Sequence, residues 1–152
     1  MTSTEPIVQR YDEKLVNFFM EEIYPQADDL YRLGFILTLN LDQARKCLNV
    51  AFKEISNDLV MVAKNADIAK LIVLKTFWRA FKKQNVSSVK GGQSPIALSF
   101  EGMSTNERVA VGMIDVIGLS LKEAKDVLEL EENELRKHLA SGRKRLMNSY
   151  KV

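Results

Sequence analysis

Cysteine, histidine, proline and glycine are all scarce in this chain of 152 residues, and each scarcity narrows what the protein can be. The single cysteine, Cys47, allows no disulfide bond within the chain, which is compatible with a reducing compartment. One cysteine and one histidine, His138, cannot supply the ligands of a structural zinc site. Because there are only three prolines and seven glycines, long stretches lack helix breakers, and we expect long helices.

Long apolar runs are also missing. The first ten residues are polar and do not resemble a signal peptide. The most apolar stretches, such as residues 71–74, are far too short to cross a bilayer. We therefore expect a soluble, cytoplasmic protein that does not insert into membranes.

The sequence carries no pattern typical of an active site. Residues 91–92 are consecutive glycines, but the lysine and serine of a phosphate-binding loop do not follow them. His138 lies among cations, where contact with DNA or solvent is a better expectation than acid–base chemistry. The acidic pairs at residues 21–22 and 28–29 predict exposed helix faces, with a metal or partner site as the alternative. We expect a protein that is not an enzyme and that uses no cofactor and no metal.

Charge is present in both signs but is unevenly distributed. The 22 basic and 20 acidic residues give a net charge of +2, which by itself implies no partner. Residues 135–152 contain no acidic residue and six basic ones: Arg136, Lys137, Arg143, Lys144, Arg145 and Lys151. A second basic run consists of Lys75, Arg79, Lys82 and Lys83. Acidic residues gather elsewhere, as at residues 129–134.

Helical periodicity occurs on both sides of one polar segment. Residues 85–95 are small and polar and lack that periodicity, which is typical of a linker. We therefore divide the chain into a first domain at residues 8–84, a linker at 85–101 and a second domain at 102–151. No alternating pattern is long enough for a strand, so the predicted fold is all-α, with two small helical domains.

Four helices are predicted before the linker. The first covers about residues 12–23 and stops near Pro25, the second begins just after that proline, and the third follows a capped turn at Asn40. The fourth, at about residues 67–83, places the second basic run beside Trp78. Cations and an aromatic ring together suit the phosphates and unpaired bases of single-stranded DNA. However, a tryptophan at helical spacing equally fits a buried core position, and the pattern leaves both open.

Three helices are predicted after the linker, and their starts are well marked. Capping boxes at residues 104–107 and 120–123 predict two helix N-termini, and Gly118 predicts a left-handed helix end between them. A tight connection at residues 129–130 leads into the basic helix. A short helix, a tight turn and a cation-rich second helix predict a helix-turn-helix over residues 119–146. The alternative is a solvated basic helix in an unrelated bundle.

In a helix-turn-helix, the second helix lies in the major groove of DNA. Lysine and arginine neutralise phosphates and release counterions, which is the main sequence-independent source of DNA affinity. The residues expected at the groove, early in the helix, are Arg136, Lys137 and His138. Those expected along the phosphate backbone are Arg143, Lys144 and Arg145.

Residues 103–147 resemble region 4 of bacterial sigma factors of the extracytoplasmic-function (ECF) type. The matching text begins with Ser104-Thr-Asn-Glu-Arg108 and Asp115-Val-Ile-Gly-Leu-Ser120. It continues with Glu123-Ala, Val127-Leu128, Arg136-Lys137-His138-Leu139 and Gly142-Arg-Lys-Arg-Leu146. Part of this pattern is shared with other helix-turn-helix regulators.

The first half is similar to region 2 of the same family, at residues 18–25, 30–33, 37–38 and 51–53. Both regions stand in the family's order, and the resemblance extends over about residues 11–150. It implies a non-enzymatic subunit that binds core RNA polymerase and directs promoter recognition. The resemblance further implies that region 4 reads the −35 element through the six basic-helix residues. It implies that region 2 opens the −10 element through Lys75, Trp78, Arg79, Lys82 and Lys83.

Three places depart from the family's pattern. In the polymerase-binding helix, the family has an acidic residue, a glutamine and a second acidic residue. The corresponding face of this chain carries Lys46, Asn49, Val50 and Lys53. Glu129 replaces the glycine usual in the turn, which predicts a strained or differently built turn. Three glutamates within residues 131–134 open the basic helix and would repel phosphates near the groove.

These observations leave three functions open. The leading hypothesis is an ECF-type sigma factor that binds core RNA polymerase and promoter DNA. The second is a degenerate sigma-like protein that binds an anti-sigma factor or another regulator without directing transcription. The third is a helix-turn-helix regulator that acts without contacting polymerase.

Overall fold

The structure, a computed structural model, describes residues 13–84 and 95–149. These residues form helices and turns and contain no strand, which confirms the predicted all-α class. Within the same two ranges, no helix has the length and apolar character needed to cross a bilayer. Most of the polar segment assigned to the linker, at residues 85–94, and Lys151 lie outside the described residues.

The first half begins with a continuous helical path. Residues 13–18 are helical and lead into a π-helical turn, Phe19–Ile23, and then a 3-10 turn, Tyr24–Gln26. Pro25 fits the start of the 3-10 turn because the N–H that it lacks would have no helical partner there. The break expected near Pro25 is therefore a change of helix type, and helix α1 (Ala27–Thr38) follows directly.

Helix α1 ends at Leu39, whose backbone is left-handed with φ 56° and ψ 26°. Helix α2 (Leu41–Asn57) begins after Asn40. The side chain of Asn40 accepts a hydrogen bond from the N–H of Gln43 at 3.0 Å, which confirms the predicted cap. The reversal between α1 and α2 thus takes only two residues.

Two more helices complete the first half, namely α3 (Leu59–Lys64) and α4 (Ala69–Lys83), with a 3-10 turn at Ala66–Ile68 between them. The fourth predicted helix is confirmed with nearly the predicted bounds. Helix α3 has no counterpart among the predicted helices, because six residues are too few for helical periodicity to show.

Four helices form the second half: α5 (Pro95–Glu101), α6 (Thr105–Val111), α7 (Leu121–Leu128) and α8 (Glu132–Ser149). Helix α5 occupies the end of the segment assigned to the linker, where it buries Ala97 and Phe100. Helix α6 continues into a π-helical turn, Gly112–Val116.

Both predicted capping boxes are confirmed. The hydroxyl of Ser104 accepts the N–H of Glu107 at 3.1 Å, and the Glu107 carboxylate accepts the N–H of Ser104 at 2.8 Å. Ser120 and Glu123 make the same pair of bonds at 3.1 and 3.0 Å. Gly118 lies just before the second box and has a φ of 91°, as the predicted left-handed helix end requires.

Apolar side chains from both halves join in one buried cluster. Leu33 of α1 and Met113 of the second π-helical turn are both fully buried. Gly112 lies so close to α1 that a Cβ added to it would be 2.6 Å from Leu33 Cδ1. In addition, the Arg108 guanidinium of α6 donates a hydrogen bond to the carbonyl oxygen of Leu37 at 3.1 Å. The two halves are in direct contact, and the division into two domains stays a prediction.

Candidate nucleic-acid interface

The predicted helix-turn-helix is built from α7, a three-residue turn and α8. Glu129, the first residue of the turn, is left-handed with φ 55° and ψ 43°, and its N–H bonds to the carbonyl of Lys125. The N–H of Leu130 reaches the same carbonyl at 3.3 Å. A residue with a Cβ costs about 1–2 kcal/mol in this conformation. The expected strain at the position of the family's glycine is therefore present.

Helix α8 packs one face closely against α6. Leu135 and Leu139 of α8 are buried. At Gly142, an added Cβ would lie 2.8 Å from Val111 Cγ2 and 3.1 Å from the carbonyl oxygen of Glu107. Only a glycine allows the two helices to approach this closely. The opposite face of α8 is left exposed to solvent, as a DNA-reading helix requires.

The six predicted −35 residues all lie on α8, and five of them are exposed; His138 is half-buried. Four of the six are paired with carboxylates of the same chain. The pairs are Arg136 with Glu132 at 3.6 Å, His138 with Glu134 at 3.8 Å, Arg143 with Asp115 at 2.7 Å, and Arg145 with Glu107 at 3.1 Å. No ion pair of Lys137 or Lys144 is found with any residue that the structure describes. These two lysines are therefore the α8 cations most available to phosphates.

Arg143 and Arg145 are paired with carboxylates that also belong to the second half of the chain. Both carboxylate oxygens of Asp115 accept hydrogen bonds from Arg143, at 2.9 and 2.7 Å. These bonds raise the pKa of the Arg143 guanidinium, although partial burial opposes them. Such bidentate pairs are stronger and more directional than single contacts. The two arginines thus hold α8 against the π-helical turn and α6. The sequence did not reveal this role, because their partners are 28 and 38 residues away.

Glu107 connects the capping box to α8. The residue is only 6% exposed, and burial alone would raise the pKa of its carboxyl group. Hydrogen bonds from the Ser141 hydroxyl, the Ser104 N–H and Arg145 outweigh burial and lower the pKa to about 2. The group is therefore ionised at neutral pH and keeps Arg145 in place.

Helix α4 carries the second basic face. Arg79, Lys82 and Lys83 are exposed and Lys75 is half-buried. Trp78 is only 5% exposed, and its ring stacks on Phe81 with centroids 5.7 Å apart. Of the two positions that the sequence left open for this tryptophan, the core position is the one observed. Its ring supports the Lys82 ammonium, which lies 5.4 Å from the ring centroid.

The turn of the helix-turn-helix contacts the basic face of α4. The Glu129 carboxylate accepts a short hydrogen bond from Arg79 and lies 3.6 Å from the Lys75 ammonium. The hydrogen bond from Arg79, with the positive charges around it, lowers the pKa of Glu129. Two of the residues predicted for the −10 element are therefore occupied by a carboxylate from the other half of the chain.

The predicted polymerase-binding residues form one surface of α2. They are spaced at three, four and seven residues, and they share a side of the helix. The opposite side of α2 is buried through Cys47, Ala51 and Ile55. The four residues on the outer surface, of which only Val50 is half-buried and the others are exposed, are Lys46, Asn49, Val50 and Lys53.

Residues 13–84 and 95–149 contain no group of three or more histidine, cysteine, aspartate or glutamate side chains arranged to hold a metal ion. The candidate site consists of three surfaces: the outer face of α8, the basic face of α4 and the outer face of α2.

Comparison of the chain with protein-family models, with curated proteins and with solved structures gives no match.

Proposed function

We propose that the chain is a sigma-like transcription factor of the extracytoplasmic-function type, which binds core RNA polymerase and directs promoter recognition. The observation that carries this proposal is the helix-turn-helix of α7 and α8, whose second helix has an exposed basic face and whose turn contacts the basic face of α4. The resemblance to regions 2 and 4, in the family's order, adds support.

In this proposal α8 reads the −35 element from the major groove. Lys137 and Arg136 face the groove, and Lys144 contacts the phosphate backbone. The pair between Arg136 and Glu132 is exposed on both sides, and such pairs contribute only about 0–1 kcal/mol. A base edge or phosphate therefore displaces Glu132 at little cost. Arg143 and Arg145 mainly fix the orientation of α8 against α6.

Opening of the −10 element is assigned to the basic face of α4. Lys82 and Lys83 are exposed at the end of the helix and contact phosphates directly. Lys75 and Arg79 join them only after they separate from Glu129, because a phosphate and this carboxylate compete for the same donors. The proposed binding therefore includes a movement of the turn away from α4.

Core polymerase is assigned to the outer face of α2. Substitution of Lys46 by Asp together with Val50 by Glu restores the charge that the family carries there. We expect this double variant to bind purified core polymerase about tenfold more tightly in a pull-down or fluorescence titration, since charge complementarity at a contact is worth roughly 1.5 kcal/mol or more. The matched control is Val60→Glu with Lys64→Asp on α3, which makes the same changes at the same spacing and should leave binding unaltered.

The wild-type chain is tested in the same assay and in transcription by core polymerase on a random promoter library. Binding to core together with transcripts from a shared promoter sequence supports the proposal. Absence of core binding by the wild-type chain and by the double α2 variant contradicts it.

A second function is favoured by one specific observation, namely that four of the six predicted −35 residues are paired within the chain. A degenerate sigma-like protein that binds an anti-sigma factor without directing transcription needs no free cations on α8. Tight binding of an anti-sigma protein, together with no core binding and no promoter-dependent transcript, distinguishes this function from the first.

A further inference from the structure

An apolar groove of about 610 Å³ lies between α1 and the π-helical turn Gly112–Val116. None of the residues assigned above to DNA or polymerase lines it. Both halves of the chain contribute to its walls. Its apolar lining comprises Phe35, Ile36, Leu41, Phe100, Val111 and Leu146, together with Val116 at the rim.

The groove leaves apolar side chains in contact with water. Leu41 is 53% exposed and Val116 is 39% exposed, and Phe35 is half-buried. Covering apolar surface and so removing it from water is favourable. A mostly apolar concavity of several hundred Å³ with a few polar groups is the usual form of a small-molecule site.

Part of the wall formed by the second half is an irregular piece of backbone. The N–H of Ile117 bonds to the carbonyl of Gly112 at 2.9 Å, five residues back, so that the turn is wider than an α-helical one. Single π-helical turns of this kind occur frequently at functional sites. Here the turn places Val116 and Asp115 on the rim of the groove.

The two charged residues at the rim, Asp115 and Arg32, differ in how tightly they are paired. Both oxygens of Asp115 are bonded to Arg143, which neutralises that carboxylate. Arg32 forms an ion pair with Asp29 at 3.8 Å, which is too long for a hydrogen bond, and its side chain is 66% exposed. Among residues 13–84 and 95–149, the Arg32 guanidinium therefore has only a weak, exposed ion pair, and its N–H groups are available at the mouth of an apolar groove.

We propose that this groove binds a small amphipathic anion, with its apolar body against Phe35 and Phe100 and its carboxylate on Arg32. The site is independent of the proposed function in transcription, because its lining residues belong to neither the DNA nor the polymerase surfaces. Since α1 and the π-helical turn both contact the ligand, binding stabilises the arrangement of the two halves.

The test uses the full chain with dodecanoate and dodecylammonium, kept below the concentrations at which they form micelles, and isothermal titration calorimetry. Dodecanoate is expected to bind saturably with a Kd below about 1 mM. Dodecylammonium has the same apolar body and the opposite charge. We expect it to bind at least about tenfold more weakly, because it loses the charge-assisted bond to Arg32.

Two variants with matched controls locate the binding. Arg32→Gln should weaken dodecanoate binding about tenfold and remove the preference for the anion. Its control is Arg45→Gln, a similarly exposed arginine that lies 3.7 Å from its own aspartate and outside the groove.

Leu41→Asp places a carboxylate on the apolar wall of the groove. The substitution lies in the first turn of α2, where an acidic residue suits the helix, so the fold is kept. Its control is Met61→Asp, which is 57% exposed on α3.

Weaker dodecanoate binding by Arg32→Gln and Leu41→Asp, with both controls unchanged, supports the proposal. The proposal is overturned if the wild-type chain shows no saturable binding in this range or binds both amphiphiles equally. It is also overturned if the groove variants bind as the wild type does, since the ligand then binds elsewhere.

Discussion

The guanidinium of Arg108 donates a hydrogen bond to the carbonyl oxygen of Leu37 and so joins two residues that lie 71 positions apart in the chain. The same guanidinium also donates to the carbonyls of Met103 and Glu101, each at 3.1 Å. Its side chain is almost fully buried, and this burial lowers the pKa of Arg108. One guanidinium thus provides hydrogen-bond donors both to the carbonyl at the end of α1 and to the carbonyls of the segment before α6.

Replacing Arg108 by Met removes all three bonds and leaves their buried carbonyls without a donor. We expect the free energy of unfolding to fall by about 1–3 kcal/mol, less than three separate bonds would suggest because desolvation of the charge is relieved. Urea denaturation followed by circular dichroism measures this loss. Arg45→Met, at an exposed arginine, should change stability by no more than about 0.5 kcal/mol. Equal effects of the two substitutions would contradict the role given to Arg108.

Gly142 is expected to tolerate no larger residue. Alanine would favour the helix by about 1 kcal/mol, but its Cβ would lie 2.8 Å from Val111 and 3.1 Å from the backbone of Glu107. The backbone contact cannot move aside easily, so Gly142→Ala should lower the melting temperature and destabilise the protein by about 1–3 kcal/mol. Gly102→Ala is the control, since nothing lies within 4 Å of its added Cβ. A melting temperature equal to that of the wild type in Gly142→Ala would show that α6 and α8 are not this close.

Because of Glu107, the folded protein is expected to lose stability in acid. Its pKa in the folded protein is about 2, below its ordinary value of 4.5, because its hydrogen bonds favour the ionised form. A group whose folded pKa is lowered contributes stability above the unfolded pKa and loses that contribution as the pH falls toward the folded value. The free energy of unfolding should therefore decrease between about pH 4.5 and pH 2.

The matching measurement compares the wild type with Glu107→Gln in urea titrations across that range. The variant should be less stable at neutral pH and should show a shallower decrease toward pH 2. Glu131→Gln, at an exposed glutamate, should follow the wild-type curve. Parallel curves for the wild type and Glu107→Gln would contradict the contribution of ionised Glu107 to stability.

Glu129 is expected to weaken binding to single-stranded DNA. Glu129→Gln frees Lys75 and Arg79, which adds up to two cations to the basic face of α4. Affinity for a single-stranded oligonucleotide should rise, and the slope of log K against log salt should steepen by roughly 0.7 for each added phosphate contact. Fluorescence anisotropy at several salt concentrations measures both quantities.

Glu131→Gln is the control for this experiment, because it makes the same change of net charge two residues further along the turn. If both variants raise the affinity equally, the effect comes from net charge alone and the competition between Glu129 and phosphate is refuted.

Local features were predictable from the sequence because their partners are close along the chain. Both capping boxes, the cap at Asn40 and the left-handed Gly118 follow from residues within four positions of one another. The strain at Glu129 was also predictable, since only glycine adopts that backbone without cost. The all-α class and the bounds of the longer helices follow from the same short-range patterns, whereas the short helices α3 and α5 were not predicted.

The ion pairs of Arg143, Arg145 and Arg79 were not predictable, because they join segments that are far apart in the chain. Arg143 meets Asp115 and Arg79 meets Glu129 across 28 and 50 residues, and no spacing rule relates them. Trp78 gave a pattern that fits burial and exposure equally, and only the packing around α4 decides between them. The groove depends on a π-helical turn that helical periodicity does not mark.

The length of helix α8 sets the distance between its cations and the apolar groove. Its 18 residues make a rod of about 27 Å, with the cations proposed to read DNA near one end and Leu146, at the wall of the apolar groove, near the other. Gly142 holds the rod close to α6 near the groove end, and the buried Leu135 and Leu139 anchor the part that bears the cations. The helix is therefore held along its length, and its rigid backbone keeps the groove and the end that bears Arg136 and Lys137 at a fixed separation.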